Sequence, residues 1–281
     1  MLKIFGYFLF FIYTSVFADT NVNTYIPVNA TKYLPILKQE QVTYWGNHPN
    51  PAQLASLVEH ESCVSLTNSR CWSPTSQLKT QREEGAGLGQ ITRAYDKSGN
   101  LRFDALAELK QIHPELSMLT WNNVYQKPEY QLRAIILKSN DNFRSLNMVN
   151  DFNERLKFSD SAYNGGLGGV QNERRACQLK TGCNPQVWKN NVENTCLKSK
   201  QALYGTRSAC DINRFHVIDV TETRVHKYEQ YMNTQVKIQE KQIIVSDQKN
   251  NKDSKIIIDK PIMIKKSILN IISDSVFSYF K

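Results

Sequence analysis

The chain has 281 residues, 41% of them hydrophobic and 22% charged, with a net charge of +9. This supplies one good-sized core with appendages, or two small domains. The basic balance fits an anionic polymer such as nucleic acid or the bacterial cell wall, but lysine and arginine are scattered along the sequence, which argues against a nucleic-acid-binding face.

In chain order, residues 1–18 (MLKIFGYFLFFIYTSVFA) combine one basic residue, Lys3, a short apolar run, and Val16 and Ala18 at the small-residue positions of a cleavage site. They read as a secretory signal peptide, too short for a membrane span. Its removal takes the net charge from +9 to +8, since Lys3 is its only charge. Residues 19–45 are polar and mixed, an extended lead-in. In NHPNPAQLASLVEHES, Asn50 is placed to cap a helix and Pro51 to occupy its first position, with an end near Ser62 or Cys63. A loop, CVSLTNSRCWSP, follows, and GAGLGQI (85–91) is a glycine-dense turn. Further helices are predicted at 103–112 and 128–143, the latter with Leu132, Ile135, Ile136 and Phe143 on one face. A helix capped by Asn150 or Asp151 carries Phe152, Leu156 and Tyr163 and stops at Gly165–Gly166. The last candidate within the domain spans 212–232. After residue 233 the composition shifts, and Leu269, Ile272, Val276 and Phe280 recur at helical spacing. That amphipathic tail docks on the protein's own core or contacts a membrane or partner protein; charges interrupt it, so it is not a span.

Six cysteines follow the leader, and an even count in an oxidising compartment favours disulfides. Of fifteen pairings, close spacing favours Cys63–Cys71 and Cys177–Cys183, leaving Cys196–Cys210. No CxxC pair and no HExxH occurs, so no metal site is expected. GAGLGQ lacks the Lys-Ser/Thr of a phosphate-binding loop and the strand before it; no cofactor is implied.

Glu61 occupies the position after Leu54, Leu57 and Val58 on an apolar helical stripe. Lost solvent and the negative end of the helix would both raise its pKa, to about 6 in a hydrophobic pocket, where a carboxylic acid can protonate a glycosidic oxygen. The alternative is a buried glutamate satisfied by an arginine or a backbone donor. His60 points off the stripe and reads as a solvated neighbour.

Three segments in order, Glu61–Ser62, then GAGLGQI, then Ala162-Tyr163-Asn164-Gly165-Gly166, resemble the lytic transglycosylases and goose-type lysozymes. The resemblance covers roughly residues 50–170. It implies a mainly α, lysozyme-like (α+β) fold: a single helical catalytic domain with a cleft (46–232), followed by an irregular extension (233–281). It implies Glu61 as the catalytic acid/base, with Ser62, Glu84, Gly87, Leu88, Gln90, Tyr163 and Asn164 around the substrate. The implied reaction cleaves the β-1,4 bond between N-acetylmuramic acid and N-acetylglucosamine in peptidoglycan, giving a 1,6-anhydro product with the sugar's own N-acetyl and 6-hydroxyl groups. A hydrolytic lysozyme, which needs a second carboxylate, is the first alternative; a non-catalytic wall-binding component of a secretion, conjugation or phage apparatus is the second. Glu84 is either that second carboxylate or an ion-pair partner of Arg82 or Arg93. Two departures stand out. Gly89 replaces the usual methionine of the turn, and the loop after Glu61 is long and holds Cys63 and Cys71. The expected location is the bacterial periplasm or the exterior.

Overall fold

A computed structural model describes residues 24–233. The leader and the C-terminal amphipathic segment lie outside the described residues. The first helix, α1 (Val28–Trp45), overturns the expectation of an extended lead-in. Its buried positions, Ala30, Tyr33, Leu34, Leu37, Gln41 and Trp45, keep helical spacing, but alanine, tyrosine and glutamine blur the pattern and Pro35 sits mid-helix. The carbonyl that Pro35 leaves without a helical partner belongs to Thr31, an exposed residue that water can reach.

Helix α2 (Ala52–Ser62) is the hub of the main core. It is buried on nearly every side, from Ala52 through Glu59, so its stripe is only part of its apolar surface. Pro51 precedes it as expected, but the Asn50 side chain is not the cap: its Oδ1 is buried without a partner, and its backbone carbonyl accepts from Gln53 at 3.1 Å.

A four-stranded antiparallel sheet then interrupts the helices, in the order β1 (Gln77–Lys79), β2 (Glu83–Ala86), β3 (Ile91–Tyr95) and β4 (Leu101–Asp104). GAGLGQI is the connection from β2 to β3, a 3-10 turn at Gly87–Gly89. Helix α3 (Ala105–Ile112) begins two residues later than predicted, because Phe103 and Asp104 pair with β3. Asp104 caps it, accepting from Ala107 N–H at 2.9 Å.

Helices α4 (Pro128–Ser145) and α5 (Phe152–Gly165) follow the sequence closely. Pro128 opens α4 and Asp151 caps α5, accepting from Asn153 and Glu154 N–H. Leu156 and Tyr163 are buried, but Phe152 is exposed, its ring against Phe143 and the Arg155 guanidinium. The α5 helix ends at Gly166, whose φ is +83°. After α6 (Leu167–Gln178) and a two-stranded ribbon, β5 (Ala202–Tyr204) and β6 (Arg207–Ser208), the predicted helix 212–232 comes in three pieces. These are α7 (Ala209–Ile218), a π-helical turn (Asp219–Thr223) and α8 (Val225–Met232). Overall the described chain is mainly α with a small antiparallel sheet.

All three expected disulfides are present: Cys63–Cys71, Cys177–Cys183 and Cys196–Cys210. They fit folding in an oxidising compartment. Among the described residues no helix is long and apolar enough to cross a membrane.

Candidate active site

A cleft of about 1380 Å³ runs between the sheet with α3 on one side and the helices α4 to α7 on the other. Glu61, at the end of α2, lines it together with Gln90 from the turn and Tyr163 and Asn164 from α5. The resemblance thus names three segments that meet in one place. The junction is a hydrogen bond from the Tyr163 hydroxyl to the Gly89 carbonyl, 2.8 Å.

The turn is held from behind by Gln131 of α4. Its Oε1 accepts from Leu88 N–H at 2.8 Å, and its Nε2 donates to the carbonyls of Pro74 and Val124. Gly87 has φ +74°, and a Cβ there would run into the Gln131 amide. At Gly89 a Cβ would overlap Ile135 Cγ1 and stand 2.7 Å from the Tyr163 hydroxyl oxygen. Ile135 thus fills the space that a side chain at position 89 would need.

Of the residues expected around the substrate, Ser62, Gln90, Tyr163 and Asn164 line the cleft, and Gly87, Leu88 and Glu84 do not. Leu88 is fully buried in the main core and Gly87 packs on Gln131, so neither lines the cleft. Ser62 lines the cleft beside Glu61, and its hydroxyl donates to Val58 O at 2.6 Å and accepts from Trp72 N–H at 3.1 Å, fastening the helix end to the loop closed by Cys63–Cys71. Glu84 lies on the face of β2 away from the cleft and forms a two-pronged ion pair with Arg93, whose guanidinium stacks on Trp121. That pair holds the Glu84 carboxyl below the usual range against the opposing and largest effect, burial. Strand alternation brings Glu83, not Glu84, to the cleft. Gln90 turns its amide nitrogen back to Gly87 O at 2.9 Å, and Asn164 Oδ1 accepts from Asn213 at 3.0 Å.

The carboxylate environment differs most from expectation. His216 of α7 binds Glu61 Oε1 through Nε2 at 2.8 Å and Asp160 Oδ2 of α5 through Nδ1 at 2.8 Å. Both ring nitrogens face carboxylate oxygens, which an imidazolium satisfies with two donors. Burial, the largest single influence, pushes the Glu61 carboxyl up. The hydrogen bond from His216 and the positive charges of His216, His60 and Lys138 together outweigh it, so the Glu61 pKa is lowered, not raised. Burial alone would lower His216, but Asp160 and Glu61 carry it up to about 10. Asp160 moves up, chiefly through burial, with His216 opposing. His60 is no solvated bystander: its Nδ1 lies 2.6 Å from Asp219 Oδ2 and its ring 4.3 Å from that of His216.

The fully buried carboxylate of α2 is Glu59, two residues before Glu61. Arg224 Nη1 at 2.8 Å, Lys227 Nζ at 2.6 Å and the Tyr228 hydroxyl all bind it. Tyr228 in turn accepts from Trp72 Nε1 at 3.0 Å, joining α8 to the residue after Cys71. This cluster anchors the helix that presents Glu61. Glu59, Asp160, Lys138 and His216 belong to none of the three segments, and the only local signal the sequence offers is an ionisable residue within an apolar run, as in Phe215-His216-Val217-Ile218.

No protein-family model and no curated protein sequence matches the chain. Among the described residues no group of three or more His, Cys, Asp or Glu side chains is arranged to hold a metal ion.

Proposed function

We propose that the chain is a peptidoglycan lytic transglycosylase, secreted or periplasmic, that cleaves the bond between N-acetylmuramic acid and N-acetylglucosamine with formation of a 1,6-anhydro sugar. The observation that carries this reading is the Tyr163–Gly89 hydrogen bond, which ties the Ala162–Gly166 segment to the glycine-rich turn beside Glu61 in a single cleft. At about 1380 Å³ the cleft exceeds the usual range for small-molecule pockets, roughly 300–1,000 Å³, and suits a polymer.

Glu61 serves first as acid to the glycosidic oxygen and then as base to the 6-hydroxyl. Its Oε2 has no hydrogen-bond partner among the described residues, which leaves that oxygen for substrate. Gln90 and Asn164 line the same cleft as polar contacts for the sugar chain. The basic charge of the chain favours an anionic wall polymer.

Digestion of purified peptidoglycan with the parent and a Glu61→Gln variant, followed by mass spectrometry of the soluble fragments, tests this. The expected products are anhydro sugars from the parent and none from the variant. A variant as fast as the parent would refute the role of Glu61. Products heavier by one water would instead make the enzyme a lysozyme, and co-sedimentation with the wall without cleavage would make it a binding component.

A further inference from the structure

Protonation of a glycosidic oxygen requires a proton on Glu61, yet the contact with His216 favours the ionised carboxylate. Resting on the transglycosylase reading, we propose that His216, oriented by Asp160, stores the catalytic proton, passing it to Glu61 for bond cleavage and taking it back after ring closure.

The geometry is that of a row, Glu61–His216–Asp160, with contacts of 2.8 Å on either side of the imidazole. His216 and Asp160 are almost completely buried, and Glu61 opens the row to the cleft. A purely structural carboxylate gathers donors, as Glu59 does with Arg224, Lys227 and Tyr228. Asp160 and Glu61 do not. Each has one side-chain hydrogen-bond partner among the described residues, the same imidazole, and Asp160 Oδ1 is buried without a partner. The site thus holds two carboxylates against one ring, an arrangement with a movable proton rather than a satisfied cluster.

The proton count closes over one turnover. The His216 Nε2–H bond breaks and the proton passes to Glu61 Oε1, leaving a neutral imidazole whose Nδ1–H still donates to Asp160. A half-turn of the carboxyl group about its terminal bond, a soft and nearly two-fold torsion, presents the O–H to the cleft. It protonates the glycosidic oxygen as the C1–O bond breaks, the bonding pair leaving with that oxygen. The 6-hydroxyl oxygen of the same sugar then bonds to C1 and its proton goes to the Glu61 carboxylate. A second half-turn returns the proton to Nε2. One proton leaves and one returns, and no water is consumed.

Other charges face this pair. His60 of α2 stands beside the His216 ring. Asp219 of the π turn binds His60 and is itself held by Arg224. Lys138 of α4 acts on Glu61 through its charge and donates to Tyr163 O at 3.0 Å. Tyr163 of α5 is kept well above its ordinary pKa, by burial first and then by the charges of Glu61 and Asp160. Among the described residues the His216 nitrogens have hydrogen bonds only to Asp160 and Glu61, which leaves the row as the proton's path.

The test combines a pH–rate profile for fragment release with an NMR titration of the histidine rings in the full chain. Parent activity should persist until His216 loses its proton near pH 10. His216→Gln keeps a hydrogen-bond donor but stores no proton. It should lower kcat at least about tenfold with KM little changed, and move the alkaline limb to lower pH. An unchanged alkaline limb in that variant would overturn the proposal. Should His216→Gln fail to fold, the ring titration decides. His216 is expected to titrate near pH 10 in the parent and lower in Glu61→Gln, whereas titration near 6.5 in the folded parent overturns the relay alone. Absence of fragment release by the parent overturns the transglycosylase reading and the role built on it.

Discussion

Two glutamates of α2, Glu59 and Glu61, stand two residues apart and should behave oppositely when neutralised. Glu59 is completely buried and is bound by two cationic side chains and a phenol. Glu59→Gln keeps the volume but removes the charge facing Arg224 and Lys227, and the Lys227 side chain is only 3% exposed. Breaking one side of a buried ion pair costs about 3–5 kcal/mol, because the remaining charge is left uncompensated. Arg224 keeps a second partner in Asp219, so the lower end of that range applies, about 3 kcal/mol. In a domain of this size each kcal/mol moves Tm by about 2–4 °C, giving a fall of roughly 6–12 °C. Glu61→Gln leaves His216 an acceptor and leaves Asp160 to balance the imidazole, so its cost should be near 1 kcal/mol. Thermal unfolding of both variants with the disulfides intact measures the difference. A Glu59→Gln protein within 1 kcal/mol of the parent would refute the claim that this cluster anchors the helix.

Gly89→Ala should destabilise by about 1–3 kcal/mol through overpacking, because the new Cβ overlaps Ile135; in an Ile135→Ala background the added cost should largely disappear, which a double-mutant cycle by denaturant unfolding reads directly. Replacing Cys63 and Cys71 with serine should cost about 2.5 kcal/mol by the chain-entropy relation for a loop of separation 8, seen as a lower unfolding midpoint and faster proteolysis between the two positions. His216 has a folded pKa of about 10 against an ordinary 6.5; its stabilising contribution is therefore full below about 6.5 and is lost as pH rises toward about 10, so a pH series of Tm should fall across that window in the parent and flatten in His216→Asn. Tyr163→Phe should leave the Gly89 carbonyl without its donor, at about 1–3 kcal/mol, with weaker fragment release as the turn loosens.

Local chemistry made much of this protein legible. Helices α2, α4 and α5 carry their own start signals at Pro51, Pro128 and Asp151, and the α5 stop at Gly166 is a backbone requirement. Cys63–Cys71 and Cys177–Cys183 lie close enough in sequence that spacing favours them, and Cys196–Cys210 is the pair that remains. Helix α1 was hidden because its buried face mixes alanine, tyrosine and glutamine around Pro35. The sheet was hidden because β1 is exposed throughout and β2 reads Glu-Glu-Gly-Ala, without alternating apolar residues.

The sequence by itself determined helices α4 and α5, whose start and stop signals lie within a few neighbouring residues, and it favoured the disulfide pairs by spacing; the candidate acid, Glu61, stood out only through three ordered segments spread over roughly residues 50–170. Only the tertiary structure decided what surrounds that acid. His216 lies 155 residues beyond Glu61 and Asp160 lies 56 residues before His216, and no local period links them. Periodicity reports which residues leave water; it does not report which charges they meet there. Burial alone raises the pKa of Glu61, and the imidazole that packing brings beside it reverses the sign.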